Sequence, residues 1–148
     1  MKKNFDKEFR LVRAKQEDLR FVYELVKDWL DKHVDHSVTT LKMPSFAKFC
    51  KVNTAKYIIK KDNLKIGFVH ILENNEIGYY VIPQFQGLGI GTWAVRQLMK
   101  NQPRGRYFAT VNNKNTASVK LIKSLGFKPK ATIYERIVKS SHKKKTTH

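Results

Sequence analysis

Three glycines in five residues, Gly87, Gly89 and Gly91, stand between two stretches of different period. Before them Ile77 to Ile82 reads as a strand that Pro83 ends, because proline lacks the N–H a central ladder needs. After them Trp93, Ala94, Val95, Leu98 and Met99 recur at helical spacing. A strand, a glycine turn and a helix in this order form an anion-binding device. Successive backbone N–H groups with no Cβ in the way are aimed by a helix N-terminus carrying about half a positive charge. A dinucleotide fingerprint requires glycines at the first, third and sixth positions and an acid about twenty residues on. Here they fall at the first, third and fifth, and Thr110-Val111-Asn112 holds no acid. A Walker A loop requires Lys before its Ser/Thr, whereas Gly91 is followed directly by Thr92.

The surrounding pattern is that of one α/β domain. Glu8 to Ala14 reads as a first strand, and Leu19, Val22, Tyr23, Val26, Trp29 and Leu30 line one face of an amphipathic helix. Pro44-Ser45 before Phe46, Phe49 and Cys50 marks a short second helix, with an irregular polar loop from Asp31 to Met43 between the two. Lys56 to Lys60, Ile66 to Leu72 and Ile77 to Ile82 read as three antiparallel strands joined by turns at Asp62-Asn63 and Asn74-Asn75. Beyond the glycine helix, Tyr107 to Val111 is expected as a strand, Asn115 to Leu125 as a helix closed by Gly126, and Phe127 to Val138 as further strands.

At 148 residues the chain holds one domain and one core. We place that domain at residues 8–138, followed by a basic, flexible tail at 139–148. A net charge of +18 points to anionic partners: nucleic acid or the ribosome, or phosphorylated metabolites. The single cysteine, Cys50, excludes an intrachain disulfide and a cysteine zinc cluster. His33, His36, His70, His142 and His148 show no metal-ligand or triad spacing, so no metal is expected. The charged N-terminus and the absence of a long apolar run give the expectation of a cytoplasmic protein with no membrane partner.

Gln86-Gly87-Leu88-Gly89-Ile90-Gly91 resembles the acetyl-CoA loop of the GCN5-related N-acetyltransferases, Gln/Arg-x-x-Gly-x-Gly/Ala, set between a strand and a helix. Tyr80-Val81-Ile82-Pro83 precedes it as in the family. Downstream, Asn115-Thr116-Ala117-Ser118 through Leu121 to Gly126-Phe127 resembles the family's Asn-x-x-(Ala/Ser)-x-x-Leu segment ending in Gly-Phe. With the N-terminal strand and helix in family order, the resemblance covers roughly Glu8 to Val138. It implies a mixed, mostly antiparallel twisted sheet flanked by helices, with a splayed central strand pair holding acetyl-CoA as cosubstrate. The amides of Gln86, Gly87, Leu88, Gly89, Ile90, Gly91 and Thr92 would bind the pyrophosphate. Val81 and Ile82 would hydrogen-bond the pantetheine arm in strand fashion, and Asn115 would meet it from the next helix.

The resemblance implies direct attack of a primary amine on the thioester. The amine would be that of an amino sugar or other small molecule, or a protein α-amine or lysine. In the branch that acetylates ribosomal N-termini, a Tyr seven residues after the motif Asn is the acid and a Glu five residues before it the base. Those positions are Ile122 and Thr110 here. A branch acetylating histone lysines carries its base in a Glu-Ile run ahead of the loop, the place of Glu76-Ile77. Glu76 is therefore the candidate base, with Tyr80 and Tyr134 as candidate acids. A rival reading is a basic CoA- or nucleic-acid-binding module with degenerate catalysis, supported by Lys143-Lys144-Lys145 and the missing pair.

Overall fold

A computed structural model describes residues 4–33, 37–38, 42–52 and 54–139. A single helical turn, α1 (Phe5–Glu8), runs straight into strand β1 (Phe9–Arg13). The long amphipathic helix α2 (Leu19–Lys32) follows, and α3 (Phe46–Lys51) starts at Ser45, whose hydroxyl accepts from the Lys48 N–H. Strands β2 (Thr54–Lys61), β3 (Leu64–Leu72) and β4 (Ile77–Val81) come next, then α4 (Ile90–Asn101) and α5 (Thr116–Ser124). The strands form an antiparallel sheet in the order β1-β2-β3-β4. Its two tight turns place Asp62 and Asn75 at positive φ, a conformation these short polar side chains tolerate.

Alternation assigns the two faces of the sheet. Tyr57, Ile59, Val69, Ile71, Ile77 and Val81 face α4, which buries Ile90, Trp93, Ala94, Val95 and Leu98 against them. Ile58 and Phe68 face the other way and enclose Val22 of α2, with Phe49 of α3 and Tyr80 packed beside them. Buried Asp18, at the head of α2, accepts from Lys65 Nζ at 2.6 Å and from the Lys15 N–H at 2.8 Å, tying that helix to β3.

Two expectations need correction. Tyr107 to Val111 is not a full strand: it meets β4 only in a parallel bridge between Glu76 and Phe108. The Ile77 N–H donates to the Phe108 carbonyl at 2.8 Å and the Phe108 N–H to the Asn75 carbonyl at 3.0 Å, and no further backbone hydrogen bond joins the two stretches. Phe127 to Val138 forms no strand, and residues 128–139 are exposed throughout. In both cases the β-forming composition is present but a continuous backbone ladder is not, and strand propensity is expressed only against a partner. Of the tail placed at 139–148, residues 140–148 lie outside the described residues.

Candidate cofactor cleft and active site

Glu76 and Phe108 form an isolated parallel bridge at the start of β4, and no further bridge joins β4 to the stretch from Tyr107 to Val111. The glycine loop follows the other end of β4, about 17 Å along the strand at about 3.4 Å per residue. The loop is built for exposed amides. Gly87 (φ +77°) and Gly89 (φ +88°) take the left-handed conformation, and Gly89 is the N-cap of α4 with no side chain capping the helix. The first N–H groups of α4 have no intrahelical acceptor, and no acid stands in its first turn. Gln86, Gly87, Leu88 and Gly89 are all exposed, whereas Ile90 is buried in the core and Gly91 and Thr92 are partly covered. Gly91 serves packing as well, because a Cβ there would lie 2.9 Å from Leu121 Cδ1 of α5.

The other positions expected to hold the cofactor are partly engaged already. Gln86 Nε2 donates to the Val81 carbonyl at 2.8 Å, latching the loop to the end of β4. The Ile82 N–H is given to the Ile66 carbonyl at 2.8 Å, and the Ile82 carbonyl accepts from the Phe85 N–H at 3.0 Å. A carbonyl keeps a second lone pair, so the acceptors of Val81 and Ile82 retain capacity while the Ile82 donor does not. Asn115 caps α5, its Oδ1 accepting from the Ser118 N–H at 3.2 Å. Asn115→Ala is therefore expected to cost about 1 kcal/mol of stability, read by urea denaturation. An unchanged midpoint would show that the cap contributes nothing.

At the bridge that precedes β4, Glu76 is half-buried, and its backbone is held on three sides. Its carbonyl accepts from the Leu72 N–H at 2.9 Å, its N–H donates to Asn74 Oδ1 at 3.0 Å, and Phe108 bridges across. Tyr80 lies on the α2 side of β4; burial raises its phenol above the usual value, as does Asp28, with Lys32 opposing. Tyr134 is 92% exposed on the segment after α5. Glu76 thus stands immediately before β4 and Tyr80 within it.

Three polar groups near this strand carry no signal in the sequence. On the α5 side the Tyr79 hydroxyl is buried; Ser118 lies nearby but makes no hydrogen bond of full geometry with it. Burial pushes this phenol up, and Ser118 lowers it in part. On the α2 side Lys56, His70 and Gly78 stand in register across β2, β3 and β4. Lys56 is buried, with Nζ on Thr54 Oγ1 at 3.0 Å and over the Phe49 ring at 4.6 Å, and burial lowers its pKa. The His70 ring lies against Gly78, where a Cβ would collide with Nε2, and no hydrogen bond reaches its buried Nδ1. Only the cross-strand register, which the sequence does not display, reveals this row.

Burial, with Lys56 adding repulsion, pushes the His70 imidazole down to about 4. Because this value lies below the unfolded one near 6.5, the unfolded chain binds the proton more tightly. The resulting stability is present above about pH 6.5 and is lost as pH falls toward 4. Between pH 7 and 5 the wild type should lose about 2 kcal/mol more than His70→Gln, on the order of 1.4 kcal/mol per unit of pKa difference. Urea denaturation at the two pH values checks this, and equal losses would show that His70 does not titrate in this way.

No described helix is long and apolar enough to cross a membrane, and among the described residues no cluster of three His, Cys, Asp or Glu is placed to hold a metal. No curated protein sequence matches the chain. Solved structures do. A GCN5-related N-acetyltransferase from Kribbella flavida superposes with a TM-score of 0.73 at 16% identity, over 93% of this chain and 92% of that one. The putative acetyltransferase yncA from Salmonella typhimurium, solved with its cofactor acetyl-CoA, gives a TM-score of 0.65 at 17% identity over 80% and 79%. RimL, a ribosomal L7/L12 alpha-N-protein acetyltransferase in complex with coenzyme A, gives 0.61 at 19% identity over 79% and 78%. The family profile described as "Acetyltransferase (GNAT) domain" matches residues 8–128. With that match spanning most of the sequence, on an antiparallel sheet followed by an uncapped glycine loop, the chain belongs to the GNAT acetyltransferase family.

Proposed function

We propose that the protein is an acetyl-CoA-dependent N-acetyltransferase acting on a primary amine by direct attack. The observation that carries this reading is the glycine loop itself: exposed residues Gln86 to Gly89 lead into a helix start that no side chain caps, directly after β4. The amides from Gln86 to Thr92 would hold the pyrophosphate, with the second lone pairs of the Val81 and Ile82 carbonyls and the Asn115 amide group along the arm. Acetyl-CoA supplies an acyl group on a sulfur leaving group. In the transfer a C–N bond forms at the thioester carbon and the C–S bond breaks. Glu76 would take the amine proton, directly or through water. A phenol would return one to the sulfur, Tyr80 from the α2 side or Tyr79 from the α5 side; Tyr134 enters only if its segment moves.

Burden on the base depends on the amine. A lysine amine near pKa 10.4 loses its proton at about 4–5 kcal/mol at pH 7, an α-amine near 8 at about 1. The net charge of +18 repels polyamines and favours anionic substrates, such as nucleotide-linked amino sugars, or a ribosomal setting. The test is a CoA-release screen over amino sugars, peptide N-termini, lysine peptides and polyamines, beside calorimetry with CoA. Turnover with one of these classes is expected. CoA binding without turnover of any would favour a degenerate binding module, and absence of CoA binding would overturn the reading.

A further inference from the structure

Among the described residues two charged side chains are buried, Asp18 and Lys56. Asp18 has its counter-charge in Lys65, whereas no described carboxylate pairs with Lys56. An ammonium carries three N–H donors. Lys56 Nζ gives one to Thr54 Oγ1 at 3.0 Å and stands 4.6 Å over the Phe49 ring, a weak substitute for an anion. A buried charge without a counter-ion is costly, and here it adjoins a cavity of about 180 Å³. Lys56 lines that cavity together with both groups that hold its Nζ, Thr54 and Phe49. The rest of the wall is of two kinds: Ala14, Leu19 and Val52 are apolar, while Lys15 and Gln16 are polar and exposed. No described acid lines it. Arg13 borders it too, but its guanidinium is turned to the Tyr57 ring at 5.3 Å, on the other face of the sheet. Lys56 stands on β2, two strands from β4, and so apart from the glycine loop that follows β4.

We propose that this cavity binds a small organic carboxylate, its head on Lys56 Nζ and Thr54 Oγ1 and its short apolar body against Phe49 and Leu19. One ammonium matches one negative charge. The Thr54 hydroxyl accepts from Nζ and keeps its own O–H to donate, so the two oxygens of a carboxylate each find a donor. A phosphate dianion would bring more charge and more acceptors than these two groups satisfy, and the apolar wall would leave its other oxygens unpaired. Burial holds the Lys56 pKa below the ordinary value, with the Cys50 thiol opposing. A carboxylate at Nζ supplies the opposite charge that this burial lacks.

The test compares sodium butyrate, acetate, phosphate and chloride on the full-length chain at equal ionic strength, which holds constant the screening of its +18 charge. Butyrate should raise the melting temperature most, by mass action on the folded state. Calorimetry should show butyrate binding about tenfold tighter than acetate, since each of its two further CH₂ groups adds about fourfold when buried. Lys56→Met keeps an unbranched apolar stem, so the variant should fold, and it should lose butyrate affinity at least tenfold. Its response to phosphate, which the glycine loop would hold, should not change. In the wild-type chain the butyrate methyl protons should give nuclear Overhauser contacts to the Phe49 ring, and these decide the matter if Lys56→Met fails to fold. Equal melting shifts in all four salts, butyrate affinity unmoved by Lys56→Met, or butyrate contacts elsewhere on the chain and none to Phe49 would each overturn the proposal.

Discussion

Gly89→Val is expected to abolish measurable CoA binding, a loss of at least about 100-fold or about 2.7 kcal/mol. Two effects act at this position. At φ +88° any L side chain is strained by about 1–2 kcal/mol, more for a β-branched one, and the new Cβ would sit 3.3 Å from Phe5 Cζ. The valine methyl groups would also stand among the exposed amides that precede α4, where a pyrophosphate would need close backbone approach. Gly126 separates the two effects. It too has φ +88°, with nothing within 4 Å of an added Cβ, and it lies just past the C-terminal end of α5, outside the 86–92 loop. Gly126→Val should therefore lower the melting temperature comparably while leaving CoA affinity within about twofold of wild type. Calorimetry with CoA on both variants, each checked by thermal melting, decides the matter. Unchanged affinity in folded Gly89→Val would remove the loop from the cofactor site, and equal losses in both variants would reduce its role to backbone strain.

Elements bounded by local chemistry are legible in the amino-acid sequence alone. The period of Leu19 to Leu30 gives α2, Ser45 after Pro44 starts α3, and Asp62 and Asn75 turn the hairpins. The glycine loop is legible for the same reason: its signal lies in the six consecutive residues from Gln86 to Gly91. Features that depend on a distant partner are not. Tyr107 to Val111 and Phe127 to Val138 carry strand composition, yet one makes a single bridge and the other lies unpaired. Pairing is decided by where a free edge lies, which local sequence does not encode. The Lys56, His70 and Gly78 row is legible only once three strands are in register. The same holds for the Gln86 latch on Val81. Sequence places this Gln among the pyrophosphate contacts through its backbone amide, whereas in the fold its side chain shapes the turn.

Glu76→Gln is expected to lower turnover on the order of 100-fold or more, the usual scale of a general base. The position rests on geometry: Glu76 immediately precedes β4 at its bridge to Phe108, the end of that strand farthest from the glycine loop. An arm running along β4 from that loop would bring its reactive end toward this carboxylate. The substitution keeps the side-chain shape and removes its basicity. The pairing of this residue with Leu72 and Phe108 is made by backbone, so the fold should be untouched. CoA affinity should change little, which separates this loss from that in Gly89→Val. The loss should also shrink as pH rises toward the pKa of the substrate amine, since free amine then forms without help from the protein. A lysine-like amine, costing about 4–5 kcal/mol to deprotonate at pH 7, should show a large dependence, and an α-amine or amino sugar a small one. The pH profile of the ratio of wild-type to variant rates therefore reports the substrate class as well as the role. A variant with wild-type turnover at neutral pH on a lysine-like substrate would refute the role, because no such amine could be deprotonated at that rate without a base, and the proton would have to leave by another group.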